Sequence, residues 1–290
     1  MNEALRAKLA ARLGSPVLRA DAASGGDINQ TFTATLRDGR SVFVKTHAAP
    51  PPGMYVCEAR GLAWLGQAQA LRVPDVLLAS DADEFGPACL VLELVHTGKR
   101  TNQFDEALGQ GLAALHRAGA PGFGLDHANY IALLAQDNTP RASWARFYAE
   151  RRLAPQVKLA RQRGHFDSAL TRRFETLCDK LENLVGPEEA PARLHGDLWS
   201  GNLLCDAEGA PCLIDPAVYG GHREVDLAMM RLFGGFAERS FAAYNAAFPL
   251  ESGHQERVAL YQMYPLLVHV NLFGGQYVSH VERSLAHWIT

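Results

Sequence analysis

The sequence predicts an α+β fold of two lobes: a small antiparallel sheet in residues 1–95 and a mainly helical body in residues 96–290. Three observations carry that expectation. Residues 31–45 alternate in period 2 on either side of Asp38-Gly39, as a half-buried hairpin does. From residue 105 onward, apolar residues recur three and four apart, as on helices packed against a core. No low-complexity tract or long linker divides the 290 residues.

Residues 3–13 read as a helix with Leu5, Leu9 and Leu13 on one stripe. Thr31 to Leu36 and Ser41 to Lys45 form the hairpin, and a strand before them is expected to turn back at Ser24-Gly25-Gly26-Asp27. Without β-carbons, Gly25 and Gly26 would let backbone N–H groups approach phosphate oxygens. Lys45, at the end of the hairpin, would lie beneath that turn. Its expected ion-pair partner is Glu58, which opens the helical pattern Cys57 to Leu65. Two further strands are expected at 73–78 and 88–93, the second running into a hinge, Leu94 to Gly98. Backbone groups of Glu93 and Val95 would there be available to an adenine ring.

Past the hinge, Leu108, Leu112 and Leu115 define a helix over 105–117, with His116 read as a satisfied core or loop histidine rather than a catalyst. Trp144, Phe147, Tyr148 and Arg151 continue at helical spacing, with Pro155 expected to kink or end that helix. Leu170, Phe174, Leu177, Leu181 and Leu184 mark a core-facing helix. A helix headed by Glu224 and Asp226 is expected over 225–233, and another over 257–273, broken by Gly274-Gly275.

Composition narrows the class. With 48% hydrophobic and 20% charged residues the chain can build a proper core, and 28 basic against 31 acidic residues leave a formal charge of −3. Neither nucleic acid nor an anionic membrane is suggested by that balance. The five cysteines show no CxxC or Cys/His metal spacing, the amphipathic N-terminus is unlike a signal sequence, and a reducing cytoplasm is the expected compartment. The apolar run near 264–270 is interrupted by Pro265 and His269 and is too short for a bilayer.

The chemistry concentrates in LHGDLWSGNLLCDAEGAPCLID, residues 194–215. Leu203-Leu204-Cys205 and Cys212-Leu213-Ile214 read as a hairpin around Asp206 to Gly209. Pairing Cys205 with Cys212 sets Asn202 opposite Asp215, where β-carbons roughly 4.5 to 5.5 Å apart would let both side chains share one Mg²⁺. Asp197 stands five residues before Asn202. An acid, an amide five residues on and an acid after a hairpin form a protein-kinase-like constellation. In it the first acid accepts the substrate hydroxyl proton, and the other two side chains hold magnesium on ATP phosphates.

These residues resemble the fructosamine kinase (ketosamine 3-kinase) family, on the protein-kinase-like fold shared with aminoglycoside and choline kinases. HGDLWSGN, residues 195–202, is the specific part. KTH at Lys45, EARGLAWL at 58–65, RLAPQ at 152–156, IDPAVYGGHREVDLAM at 214–229 and the C-terminal helix carrying His269 and Asn271 extend the similarity over nearly the whole chain. The resemblance implies Asp197 as base, Asn202 and Asp215 on Mg²⁺, Lys45 and Glu58 at the ATP phosphates, and Asp226 bracing the catalytic loop. Many members carry a cysteine in the Gly-rich loop. This chain reads Gly25-Gly26-Asp27-Ile28-Asn29 there, so regulation through a thiol in that loop is not implied.

The expected activity is ATP-dependent phosphorylation of the 3-hydroxyl of free or protein-bound ketosamines in protein deglycation. Trp199 is expected to cover the acceptor's carbon chain while His269 and Asn271 hydrogen-bond its carbonyl and hydroxyls. Two alternatives stand beside this. One is a kinase of the same fold acting on an aminoglycoside, choline or a sugar. For a polycation the acidic lining is thin, since the one carboxylate cluster, Glu188-Glu189, lies outside the catalytic loop. The other is a non-catalytic scaffold, disfavoured because Lys45, Glu58, Asp197, Asn202 and Asp215 are all present.

Overall fold

The computed structural model describes residues 1–23 and 28–289. The turn expected at Gly25 and Gly26 lies outside the described residues. Helix α1 (Glu3–Leu13) is capped by Asn2, whose side chain accepts from Leu5 N–H at 2.9 Å, and is closed by Gly14 in the left-handed region. It leads into β1 (Val17–Ala22), β2 (Gln30–Leu36) and β3 (Ser41–Thr46). After α2 (Met54–Gly66) come β4 (Val76–Ser80) and β5 (Cys89–Glu93). The five strands form one antiparallel sheet in the order β1-β2-β3-β5-β4. Leu36, Val42, Val44, Cys89 and Val91 bury one face against Leu5 and Leu9 of α1. Leu90 and Leu92 bury the other against Tyr55 and Leu62 of α2. Alternation therefore feeds two cores, which is why β5 reads as a continuous apolar run.

The remainder is mainly helical. Helix α3 (Phe104–Arg117) packs along α8 (Glu238–Ala247). Closeness is possible because a side chain at Gly109 would strike the α8 backbone, 2.2 Å from the Ser240 carbonyl. A short hairpin follows, β6 (Asn129–Ile131) and β7 (Leu134–Gln136). Of the two outcomes expected at Pro155, the helix does not end there: α4 (Trp144–Phe147), a π segment over Tyr148–Leu153 and α5 (Ala154–Gln162) follow one another in one helical run. Proline clashes with the carbonyl four residues back, and the wider π turn just ahead of Pro155 relieves that clash without ending the helix. Helix α6 (Ser168–Lys180) buries Leu170, Phe174 and Leu177 as the spacing predicts.

Strands β8 (Ala192–Leu194), β9 (Leu203–Cys205), β10 (Pro211–Leu213) and β11 (Tyr219–Gly221) frame residues 194–215. Helix α7 (Glu224–Phe233) follows. The expected helix over 257–273 is two, α9 (His254–Tyr261) and α10 (Met263–Phe273), ahead of α11 (Val278–Ala286). Pro265 has no N–H to give the Tyr261 carbonyl, so the chain restarts its hydrogen bonding at Met263. Among the described residues no helix is long and apolar enough to cross a membrane. All five cysteines are free thiols.

Candidate active site

The sheet and the helical body meet at a cleft of about 870 Å³. On the sheet side Lys45, buried at the end of β3, donates from Nζ to Glu58 Oε1 at 2.8 Å, so the ion pair expected between them is present. The same Nζ makes a short hydrogen bond to Asp215 Oδ1 across the cleft. Burial alone would lower the Lys45 pKa, but the Asp215 and Glu58 carboxylates outweigh it and raise it, so the lysine stays charged.

The hinge lies at the back of the cleft, lined by Glu93 and Val95. The Glu93 N–H is committed to the Asp75 carbonyl at 2.9 Å, which leaves its own carbonyl as the group it can offer a ligand. Arg72, which periodicity did not single out, ties this region together. Its guanidinium reaches Glu93 Oε1 at 3.1 Å and Asp206 Oδ2 at 2.9 Å, and its carbonyl accepts from Leu213 N–H at 2.8 Å.

The hairpin below is real, but its register differs by one residue from the expected pairing. Cys205 opposes Pro211 and Leu203 opposes Leu213, so Asn202 faces Ile214, whose N–H donates to the Asn202 carbonyl at 3.1 Å. The turn decides this: Gly209, at φ 81°, donates to the Asp206 carbonyl, and Asp206 pairs with Ala210, closing a three-residue loop. Asp215 thus stands one residue past the position opposite Asn202. It adopts φ 55°, a left-handed conformation uncommon for a non-glycine residue, and its side chain still enters the cleft.

The catalytic loop is held by its backbone. Asp226, fully buried at the start of α7, accepts His195 N–H at 2.7 Å and Gly196 N–H at 2.9 Å. Burial alone would raise its pKa, but His116, whose Nε2 lies 3.1 Å away, and the loop N–H groups lower it, so it is a carboxylate. His116 Nδ1 in turn meets the Tyr244 hydroxyl at 2.8 Å. His116 is thus a satisfied core histidine, and the residue it satisfies braces the loop that carries Asp197. His195 is kept neutral by burial, with Nε2 donating to the Ile214 carbonyl at 2.9 Å.

Asp197 follows in this clamped loop. Burial, then repulsion from Asp215, pushes its carboxyl up to about 7, although Asn202 Nδ2 donates to its Oδ2 at 3.1 Å. That amide also donates to the Asp197 carbonyl at 2.8 Å, which leaves Asn202 Oδ1 as its free coordinating end. Asp197, Asn202, Asp215, Lys45 and Glu58 are thus brought to one cleft.

The three residues expected at the acceptor divide. Trp199 lines the cleft mouth, 40% exposed, with its indole over Gly201 and edge-on to Phe233, centroids 6.5 Å apart. His269 lines the cleft as well, but Nδ1 donates to the Pro265 carbonyl at 2.7 Å. Its Nε2 is therefore an acceptor, suited to a hydroxyl or N–H and unable to bind a carbonyl, contrary to part of its expected role. Asn271 is a correction. It is buried away from the cleft lining, with Nδ2 donating to the backbone and side-chain oxygens of Gln156 at 2.9 and 2.8 Å. Two positions past His269, it falls on another face of α10 and locks α5 instead.

Sequence reasoning missed the β6–β7 hairpin, which contributes Asn129 to Ala132 to the cleft, and the rings of Phe233 and Phe273. A signal for those rings was present. Phe-Gly-Gly occurs at 233–235 and again at 273–275, and Gly234 (φ 70°) and Gly274 (φ 92°) end α7 and α10 in nearly the same glycine-favoured conformation.

Kinase-like architecture and this cleft define a phosphotransferase with an alcohol acceptor. More narrowly, the chain belongs to the fructosamine kinase family, whose model matches residues 1–290. A protein named "probable ketoamine kinase" in Synechocystis is 40% identical over 266 residues, covering 90% of this chain and 87% of its own. The chloroplastic protein-ribulosamine 3-kinase of Arabidopsis thaliana is 38% identical over 248 residues, covering 83% and 74%. Among solved structures, a chain assigned as a fructosamine-3-kinase from Thermobifida fusca superposes with TM-score 0.89 at 38% identity, covering 98% of this chain and 97% of that one. A macrolide 2'-phosphotransferase type I, at 18% identity and TM-score 0.60 over 98% and 95% of the two chains, shares the fold.

Proposed function

We propose that this protein transfers the γ-phosphoryl group of ATP to the 3-hydroxyl of ketosamines, free or attached to protein, as the first step of deglycation. The observation that carries the reading is the convergence of Asp197, Asn202, Asp215 and the Lys45–Glu58 pair on one cleft in a chain of the fructosamine kinase family. Asp197, with its carboxyl near 7, accepts the acceptor's hydroxyl proton. Lys45 moves from Asp215 to the ATP phosphates, while Glu58 keeps hold of it. The backbone carbonyl of Glu93 and the Val95 N–H take the adenine edge.

The donor set fits magnesium. Asp215 offers a carboxylate and Asn202 its Oδ1, and among the described residues no cluster of three or more His, Cys, Asp or Glu side chains forms a closed cage. Mg²⁺ suits such a half-built site because it keeps waters and substrate phosphates as its other ligands. When bound, it neutralises phosphate charge during transfer.

Phosphate at C3 explains how transfer leads to deglycation. A proton leaves C1 to give the enaminol, the nitrogen lone pair expels phosphate from C3, and water hydrolyses the resulting imine to free the amine. The test is a phosphorylation assay of purified protein on free and protein-bound ribulosamine, fructosamine and erythrulosamine, with an aminoglycoside and choline as controls. Preference for either control over every ketosamine would overturn the acceptor assignment.

A further inference from the structure

The acceptor end of the cleft has a chemistry that the ketosamine sugar does not explain. Trp199, Phe233 and Phe273 are among the large apolar side chains left exposed, at 40, 40 and 44%. They stand together, for Phe233 lies 4.8 Å from His269 centroid to centroid, Phe273 5.4 Å and Tyr277 5.2 Å. All five rings line the cleft, and among the described residues its carboxylates, Glu58, Glu93, Asp197 and Asp215, belong to the hinge and the phosphate-transfer centre. A sugar chain is rich in hydroxyls and would satisfy few of them on this collar. Exposed aromatic rings grouped at the mouth of a pocket mark a surface that a ligand covers.

The covalent structure of a ketosamine says which part that is. The amine nitrogen is three bonds from C3, so an acceptor with its 3-hydroxyl at Asp197 carries the nitrogen and its substituent outward. Burial lowers the His269 pKa and keeps the ring neutral, and its bare Nε2 can accept an ammonium N–H without charge repulsion. Aromatic faces around it attract a single ammonium and solvate an apolar group equally well. A carboxylate beside the nitrogen, as in a glycated free amino acid, or further ammonium groups would meet no complementary charge on the collar among the described residues.

Resting on the ketosamine kinase reading, we infer that the collar of Trp199, Phe233, His269, Phe273 and Tyr277 is a subsite for the amine end of the acceptor, selecting ketosamines with one ammonium and an apolar N-substituent. The experiment compares kcat/KM for one ketose coupled to benzylamine, hexylamine, glycine and spermine. The benzylamine and hexylamine adducts are expected to exceed the glycine and spermine adducts by about tenfold or more, as burial of a phenyl or alkyl group on aromatic surface allows. In Phe233→Ala and Phe273→Ala that ratio is expected to fall towards one, whereas Phe273→Leu, which keeps apolar bulk, retains most of it. Equal kcat/KM for all four adducts, or a ratio unchanged in both alanine variants, overturns this subsite and leaves the ketosamine kinase reading standing. No phosphorylation of any adduct overturns both.

Discussion

Asp226 and His195 are joined by a 2.7 Å hydrogen bond from the His195 N–H to the Asp226 carboxylate, and the second carboxylate oxygen takes the next N–H, that of Gly196. One buried side chain thereby fixes two consecutive peptide groups immediately ahead of Asp197. A general base must be held to a fraction of an ångström to act, and for the base proposed at Asp197 this clamp would supply that hold without Asp226 touching a reacting atom.

Asp226→Asn turns one of the two accepting oxygens into an amide N–H₂ facing a backbone N–H. A buried donor left unsatisfied costs about 1–3 kcal/mol, so thermal unfolding should drop by several degrees. The kcat should fall at least tenfold, with KM for ATP much less affected. Unchanged kcat in a folded Asp226→Asn protein would show that the loop does not depend on this clamp.

Asp197→Asn should reduce kcat by roughly 10² to 10⁴-fold while nucleotide binding persists, since the role proposed for this side chain is towards the acceptor hydroxyl and not the nucleotide. It also carries a stability signature. The folded-state carboxyl sits at about 7, above the unfolded value of about 3.9. Between those values the folded protein binds the extra proton, so its stability declines as pH rises from 4 to 7, and the full penalty applies above 7. The uncharged Asn escapes it. The variant should therefore melt several degrees higher than the parent at pH 8 and show little difference at pH 4. A lower melting temperature at pH 8 would mean that Asp197 is not destabilised as a carboxylate.

Much of this cleft was legible because the chemistry is local in sequence. Asp197, Asn202 and Asp215 lie within 19 residues, and Lys45 and Glu58 sit on adjacent elements whose periodicity is clear. The errors arose where a backbone detail outweighs pattern. A three-residue turn ending in left-handed Gly209 moved the hairpin register by one, a change that apolar runs filled with Leu and Cys on both faces do not betray. Asn271 was misassigned for a related reason. Two residues on a helix are about 200° apart, so His269 and Asn271 cannot both face the cleft, and the side that wins depends on Gln156, over a hundred residues away.

Asp215→Ala should weaken Mg²⁺-dependent nucleotide binding more than Asn202→Ala. A carboxylate neutralises cation charge and an amide only coordinates it, and Asp215 is also the second partner of Lys45. Calorimetric titration of nucleotide with and without Mg²⁺ separates the two. Equal and small losses would remove this pair from the metal site.

Cys57 borders the cleft beside Glu58. Burial raises its thiol pKa, and Sγ points to the Ala128 carbonyl at 3.5 Å, so little thiolate is available at neutral pH. Alkylation of the native protein should therefore inactivate slowly. Rapid loss of activity that ATP prevents would identify Cys57 as reactive after all.

Trp199 offers the sharpest test of the acceptor assignment, because its position rests on a glycine. A β-carbon at Gly201 would come within 2.2 Å of the indole's outer edge, so the ring packs against that residue while lining the cleft. Trp199→Ala removes the ring, and Gly201→Ala displaces it while leaving it attached. Both should raise KM for a ketosamine by about tenfold, the worth of an aromatic contact of this kind, with KM for ATP and slow background ATP hydrolysis little changed, since the hinge and Lys45 lie elsewhere in the cleft. Gly201 has an ordinary negative φ, so alanine there is not strained for backbone reasons, and the ring edge it meets is free to swing outward into solvent. If either substitution impairs ATP and ketosamine use to the same degree, the indole supports the loop as a whole and the acceptor lies against another wall of the cleft.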